Sequence, residues 1–217
     1  MKKDKIALQL YTLRDFLKTP ADMAVTLKKV KKIGYDAVQL SGMGPIDEKE
    51  LLKMLDGEGL TCCATHEPGK TIVEEPQKVV DRLAALKCKY TAYPWPHLGF
   101  ANGESDVHSL AKALNASGKI LYDAGQVLTY HNHDIEFQKF GKKTALDMLY
   151  DETDKRYLQD ELDTYWVQSG GACPVEWIEK LTNRLPLLHL KERGFHDKSA
   201  TIMHIGGGNL KALVVLA

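Results

Sequence analysis

The chain has 217 residues, of which 44% are hydrophobic and 27% are charged, and 29 Lys and Arg residues balance 29 Asp and Glu residues. This composition is typical of one folded globular domain and argues against intrinsic disorder. The balanced charge argues against a general nucleic-acid-binding protein, because such proteins usually carry a basic excess.

The start of the chain and its apolar runs also bear on location. The apolar run near the amino terminus is too short for a secretory signal, and no stretch approaches 18 apolar residues. The four cysteines show neither a disulfide framework nor a zinc-type spacing. We therefore expect a cytoplasmic protein with reduced thiols that does not span a membrane.

Seven short runs rich in apolar, β-branched and aromatic residues predict buried parallel strands. They cover residues 6–11, 36–41, 60–66, 90–95, 126–133, 157–166 and 186–191. The ends of successive runs lie about 30 residues apart, which is the length of one strand-and-helix unit. These distances are counted between the polar residues near the end of each run, which are Gln9, Gln39, His66, Tyr93, His131, Asp163 and His189.

Six amphipathic segments lie between the predicted strands and are expected to form helices. Thr19 as N-cap and Pro20 at the first helical position begin the first helix, and Gly34 ends it. Asp47 begins the second helix, which we expect to end at Gly57. The other four have apolar residues at helical spacing within 79–86, 107–121, 146–149 and 174–181.

Strict alternation of strands and helices predicts an α/β fold with a parallel sheet, in one domain over residues 1–217. A doubly wound sheet is the rival, but no G-x-G-x-x-G follows the first strand. An eight-unit barrel takes roughly 250 residues, and too few residues follow His189 for a further helix and strand. We therefore predict a (β/α)8 TIM-barrel type that is incomplete, with the eighth unit missing or replaced by residues 213–217.

Three successive predicted strands end in side chains that commonly bind metals: His131 with His133, Asp163, and His189. The carboxyl ends of barrel strands form the active site, so these groups are expected to converge on one divalent ion. Glu136 follows the fifth strand and can fold back towards them. Each residue also has a structural alternative: a hydrogen-bonded histidine, a capping aspartate or a solvated glutamate.

Five segments together resemble one protein family: LQLYTLRD (8–15), YHNHDIEF (130–137), ELDTYWV (161–167), PLLHLKER (186–193) and GGGNL (206–210). They are similar to the sugar phosphate isomerase/epimerase family, whose members are xylose-isomerase-like TIM barrels. The resemblance covers about residues 5–210. It implies a barrel fold, a small-molecule sugar substrate and a divalent metal, namely Mn, Co, Mg or Zn.

The resemblance also implies roles for particular residues. Many relatives carry Glu-Asn-His in the fifth strand, where this chain has His131, Asn132 and His133. Either His131 replaces the usual carboxylate or Glu136 supplies its charge. The family's metal ligands correspond to Asp163 and His189, with Glu136 as the added carboxylate.

A further set of residues would contact the substrate if the resemblance holds. Lys191 would bind a substrate oxygen, and two tryptophans would stack on a sugar ring, although burial in the core is an equal alternative for them. The full predicted substrate-binding set is Gln9, Tyr11, Gln39, His66, Trp95, Trp166 and Lys191.

The sequence departs from the family before GNL. Relatives carry glutamates there, whereas this chain has His204 followed by Ile205 and three glycines. The glutamate of the family's eighth strand has no counterpart either.

The leading prediction is a metal-dependent sugar, keto-sugar or polyol isomerase or epimerase that removes a proton next to a metal-polarised carbonyl. His131, His133 and Glu136 are the predicted proton-transfer residues. A truncated barrel that binds a ligand or partner without turnover is the first alternative, and a keto-sugar dehydratase or lyase is the second. A nuclease acting on damaged DNA is disfavoured by the neutral charge. We expect no nucleic-acid or membrane partner, and expect self-association through an open sheet edge.

Overall fold

The computed structural model describes residues 5–96 and 99–210. Strands and helices are numbered in chain order. The strands are β1 Leu8–Gln9, β2 Ala37–Leu40, β3 Thr61–His66, β4 Tyr90–Tyr93, β5 Val127–His131, β6 Lys139–Phe140, β7 Lys143–Thr144, β8 Gln159–Asp163, β9 Leu187–His189, β10 Glu192–His196 and β11 Ser199–Met203. The α-helices are α1 Pro20–Ile33, α2 Glu48–Glu58, α3 Gly69–Glu74, α4 Pro76–Ala85, α5 Glu104–Asp123, α6 Ala145–Asp151, α7 Thr164–Ser169 and α8 Pro174–Lys180.

Seven strands form the main sheet in the order β1-β2-β3-β4-β5-β8-β9, and the other four form two separate hairpins. Parallel pairing joins β1 to β2, β2 to β3, β3 to β4, β5 to β8, and β8 to β9. This is the predicted α/β fold of TIM-barrel type, and an eighth strand of the sheet is absent from the described residues. The predicted substitute strand at 213–217 lies outside those residues.

The chain divides into two compact units, residues 1–92 with 120–128 and residues 93–119 with 129–217. The prediction of a single domain over the whole chain stays a prediction.

Helix ends in the first unit follow local capping chemistry. Thr19 and Asp22 form a reciprocal capping box at the start of α1, and Gly34 ends it with φ 116°. The predicted end of α2 at Gly57 is wrong, because Gly57 stays helical. The helix ends at Gly59, which has φ 64° and donates its N–H to the Leu55 and Asp56 carbonyls.

Two predicted strands are shorter than expected. The first ends at Gln9, and residues 10–16 form a 3-10 helix. The sixth ends at Asp163, because Asp163 Oδ1 accepts hydrogen bonds from the N–H groups of Tyr165 (3.1 Å) and Trp166 (3.2 Å) and so starts α7. The capping role considered for Asp163 is therefore present.

The second unit contains an unpredicted hairpin, in which β10 pairs antiparallel with β11 from Glu192 opposite Met203 to His196 opposite Ser199. Its turn residues Asp197 and Lys198 both have positive φ, 47° and 63°. Such turns usually carry Asn-Gly or Asp-Gly, so Asp197-Lys198 is a weak signal for a hairpin.

Apolar side chains fill the interior of each unit. Fully buried examples in the first unit are Leu10, Leu17, Met23, Leu27, Val30, Leu51, Leu55, Ile72 and Leu83, and in the second Tyr130, Leu146, Leu149, Leu158, Leu162 and Val167. Among the described helices, none is both long and apolar enough to cross a membrane.

Candidate metal centre and active site

Three neighbouring strands of the second unit end where the candidate site begins. His131, Asp163 and His189 are the last residues of β5, β8 and β9. The parallel register places His131 opposite Glu161 and Asp163 opposite His189. Strand pairing alone therefore brings two imidazoles and two carboxylates together at the carboxyl-terminal ends of these strands.

One ligand atom each from His131, Glu161 and His189 lies within 4.8 Å of the others. His189 Nε2 is 3.0 Å from Glu161 Oε1. His131 and Glu161 are buried, and His189 nearly so. Imidazole nitrogens and a carboxylate oxygen at this spacing are a donor set that suits a divalent transition ion.

Glu161 was missed as a site residue in the sequence, although a signal for it existed. Glu161 and Asp163 are two residues apart on β8 and therefore point to the same face of the sheet.

Asp163 connects the basic groups of the site. Its Oδ2 lies 2.9 Å from Lys191 Nζ, 3.4 Å from His131 Nε2 and 3.7 Å from His189 Nδ1. Burial by itself would raise the pKa of Asp163. The two histidines and Lys191 outweigh burial and hold this pKa far below its usual value. Asp163 is therefore ionised, and its expected role as a metal ligand stays a prediction.

His189 lies between two carboxylates. Burial lowers the pKa of its imidazole, but the negative charges of Glu161 and Asp163 have the larger effect and raise the pKa to about 9. Two buried carboxylates thus create a strongly negative environment, which is suited to a cation.

Asn132 is a second buried residue of the site, and its role was not predicted from the sequence. It is fully buried, and its Oδ1 accepts a 2.8 Å hydrogen bond from the Asp163 backbone N–H. This bond joins the end of β5 to the end of β8 and helps to hold His131 beside Asp163.

Glu136 has both carboxylate oxygens occupied by donors from its own segment. Tyr130 OH donates to Oε1 (2.8 Å), and the His133 N–H donates to Oε2 (2.7 Å). Burial raises the pKa of Glu136 to about 7, although these hydrogen bonds oppose the rise. The contacts favour a role in bracing residues 132–136, and the metal and proton-transfer roles expected for Glu136 stay predictions.

Four residues predicted to transfer a proton or bind substrate lie beside the cluster of His131, Glu161 and His189. The His133 ring centroid is 4.6 Å from that of Trp95, 5.1 Å from that of Trp166 and 4.8 Å from that of His131. Lys191 Nζ lies 5.7 Å from the Trp166 ring centroid. Trp95 is 48% exposed, so it is not a core aromatic.

The remaining predicted substrate-binding residues belong to the first unit. Gln9 ends β1, Gln39 is buried in β2, and Tyr11 lies in the 3-10 helix with Arg14 over its ring at 4.6 Å. His66 ends β3, and its Nδ1 is 3.3 Å from Ser41 Oγ. Their role in lining a substrate pocket stays a prediction.

Comparison with known sequences gives one partial similarity. No protein-family model matches the chain. Over 91 residues it is 31% identical to an inosose dehydratase from Clostridium botulinum (strain Alaska E43 / Type E3). That alignment covers 41% of this chain and only 29% of the dehydratase.

Solved structures resemble nearly the whole chain. A sugar phosphate isomerase/epimerase from Parabacteroides distasonis ATCC 8503 aligns with a TM-score of 0.79 at 26% identity, over 98% of this chain and 82% of that one. An L-ribulose 3-epimerase aligns with a TM-score of 0.70 at 17% identity, over 97% and 77% of the two chains.

The fold defines the class: the chain has an α/β fold of TIM-barrel type, and its solved structural neighbours include a xylose isomerase domain protein and an L-ribulose 3-epimerase. By structure, it is similar over nearly its whole length to a sugar phosphate isomerase/epimerase. The resemblance noted in the sequence is confirmed.

Proposed function

We propose that the protein is a divalent-metal-dependent enzyme that isomerises or epimerises a sugar, keto-sugar or polyol. The observation that carries the proposal is the convergence of His131, Glu161 and His189 at the strand ends. The similarity to a sugar phosphate isomerase/epimerase at 26% identity supports the substrate class.

The chemistry of the donor set fits a metal. His131, Glu161 and His189 would hold the ion, and two imidazoles with one carboxylate favour Zn, Co or Mn over Mg. When bound, the ion supplies positive charge that polarises a carbonyl and stabilises the negative oxygen formed beside it. Asp163 touches both histidines and would orient the imidazoles.

The side chains next to this cluster have complementary tasks. Lys191, fixed by Asp163, would donate a hydrogen bond to a substrate oxygen. His133 would take the proton from the carbon next to the carbonyl. Trp95 and Trp166, whose rings both lie close to the His133 ring, would pack against the substrate's carbon skeleton.

Dehydration is a second candidate, because the partial match is to an inosose dehydratase. Loss of water from a keto-sugar or keto-polyol starts with the same removal of a proton next to a carbonyl. Isomerase, epimerase and dehydratase therefore share the first step and differ in what happens to the resulting enediolate.

Metal analysis tests the centre directly. Protein purified without chelator should contain close to one equivalent of divalent metal, and Glu161→Gln and His189→Ala should lose it. His108→Ala is the matched control, because His108 is a half-exposed histidine paired with Glu152 elsewhere in the second unit. Equal metal content in all four proteins would refute the proposed centre.

Proton abstraction is tested by NMR in D2O with a panel of ketoses and an inosose. The wild type should exchange the proton next to the carbonyl of at least one substrate, and Glu161→Gln should not. A metal-loaded wild type that exchanges no proton and forms no product would instead support a barrel that binds ligands without turnover.

A further inference from the structure

The hydroxyl of Thr164 contacts three backbone groups next to the candidate site. Thr164 is fully buried at the start of α7. Its Oγ1 accepts the Lys191 N–H (3.0 Å) and lies 2.7 Å from the Lys191 carbonyl oxygen and 3.3 Å from that of His189. One hydroxyl therefore contacts the main chain of both residues that bring basic side chains to the site after β8.

The preceding residue holds the side chains of the same two residues. Asp163 Oδ2 is 2.9 Å from Lys191 Nζ and 3.7 Å from His189 Nδ1. Two adjacent residues, the last of β8 and the first of α7, thus contact residues 189 and 191. Asp163 contacts their side chains, and Thr164 contacts their backbone.

The backbone contact is needed because the chain leaves the sheet at this point. β9 ends at His189, and the hairpin begins at Glu192. The backbone groups of residues 190 and 191 lie between these elements, where a strand ladder does not fix them. The Thr164 hydroxyl supplies both a donor and an acceptor at that place.

We propose that Thr164 is a positioning residue of the site: its hydroxyl fixes residues 189–191 so that the His189 imidazole and the Lys191 ammonium reach Asp163 together. The consequence for catalysis rests on the proposed function, whereas the placement of Lys191 does not depend on a bound metal.

The first experiment measures Co²⁺ affinity by competition with a chromophoric chelator. Thr164→Val keeps the size of the side chain and removes the hydroxyl, and should weaken Co²⁺ binding about tenfold, the lower end of what loss of a supporting contact costs a metal site. Thr164→Ser should restore binding close to the wild type.

Thr153→Val is the matched control. Thr153 is also buried in the second unit, and its Oγ1 donates to the Leu149 carbonyl at 2.7 Å. It should lower stability without changing Co²⁺ affinity. The proposal is overturned if Thr164→Val binds Co²⁺ like the wild type, or if Thr153→Val weakens binding equally.

A second experiment separates this inference from the proposed metal centre. Lys191 lies near the Trp166 ring, so its side-chain NMR signal in lysine-labelled protein without metal should carry a ring-current shift. The signal is assigned by its loss in Lys191→Arg. Thr164→Val should move it towards the signals of exposed lysines, while Thr164→Ser and Thr153→Val should not.

The two results can be told apart. If Glu161→Gln binds Co²⁺ as well as the wild type, the proposed metal centre fails, and the Lys191 signal alone then decides the role of Thr164. An unchanged Lys191 signal in Thr164→Val would overturn the inference even if the metal centre stands.

Discussion

At the residue scale, carboxylates are held by donors from other parts of the chain. Asp163 is one example, and Glu192 is another: it is buried and accepts hydrogen bonds from the N–H groups of Gly206 (3.2 Å) and Leu210 (2.7 Å). A carboxylate whose pKa is depressed by such donors, as that of Asp163 is, stabilises the fold only while it is ionised.

Asp147 allows the stabilisation by an ionised carboxylate to be tested away from the candidate site. Its carboxylate closes the capping box of α6 with Thr144 and pairs with Lys180. Partial burial would raise the pKa of Asp147, but the bonds from Lys180 and Thr144 lower it. Because the folded-state pKa is depressed, this stabilisation is present above the ordinary Asp pKa near 4 and is lost as pH falls through the lower folded-state pKa.

We therefore expect Asp147→Asn to lower the free energy of unfolding by about 1 kcal/mol at pH 7, the usual size of a capping contact. The difference from the wild type should shrink below pH 4, as measured by urea denaturation at several pH values. Asp15→Asn, in an exposed pair with Lys18, is the control. A difference that stays constant down to pH 2 would contradict this explanation.

At the element scale, two glycines that both lie inside α-helices differ in what surrounds them. A Cβ on Gly118, in α5, would lie 2.0 Å from the Tyr157 carbonyl oxygen, whereas a Cβ on Gly57, in α2, would meet nothing within 4 Å. Glycine at position 118 therefore permits the close approach of α5 to residue 157.

Alanine substitutions should have opposite effects at these two positions. Gly118→Ala should lower the free energy of unfolding by about 3 kcal/mol, because the backbone at residue 157 must move. Gly57→Ala should raise it by roughly 0.5–1 kcal/mol through helix propensity. Denaturant unfolding measures both, and an equal effect of the two substitutions would show that the close approach at Gly118 is unimportant.

The connection between α6 and β8 is held by one partly buried guanidinium. Arg184 donates to the backbone carbonyls of Leu158 (2.9 Å), Tyr150 (2.7 Å) and Thr153 (3.2 Å), and it lies over the Tyr150 ring at 4.5 Å. These bonds fix the segment that leads into the strand carrying Glu161.

Arg184→Ala should cost about 3 kcal/mol of unfolding free energy, because it leaves three backbone carbonyls without their donor. Arg184→Lys should recover only part of this, since an ammonium lacks the planar fork of donors. Arg156→Ala removes an exposed pair with Asp154 and should change stability little. Thermal unfolding monitored by circular dichroism compares the variants. Full recovery of stability in Arg184→Lys would show that the planar arrangement of guanidinium donors is not needed.

At the scale of the whole molecule, metal binding and folding stability should be linked. A ligand that binds only the folded state stabilises it by about 2.7 kcal/mol at a hundred times its Kd. The melting temperature of the wild type should therefore rise with added Zn²⁺, Co²⁺ or Mn²⁺ and fall with EDTA. Glu161→Gln should show neither change, and a response equal to that of the wild type would place the stabilising ion elsewhere.

Self-association is also a property of the whole chain. Among the described residues, β1 and β9 are the terminal strands of the sheet and each pairs on one side. Unpaired backbone groups on such strands favour contact with a second chain. We expect light scattering to detect oligomers at high concentration, and a strictly monomeric mass there would contradict this expectation.

The sequence predicted the sheet better than the site. Buried parallel strands are continuous apolar runs that end in a polar residue, so the ends of β3, β5, β8 and β9 were located at His66, His131, Asp163 and His189. The 3-10 helix after Gln9 was missed, since it is as apolar as a strand. The Asp197-Lys198 turn was missed because its residues are uncommon in tight hairpins.

The sequence by itself determined the seven strands of the main sheet, the ends of most of them and the family resemblance, because hydrophobic periodicity and capping are local properties of the chain. Only the tertiary structure decided which glutamate lies with His131 and His189. Parallel register puts Glu161 opposite His131, while hydrogen bonds from Tyr130 and the His133 backbone occupy Glu136. Register and hydrogen-bond partners depend on residues far apart in sequence, so composition and spacing could not choose between the two glutamates.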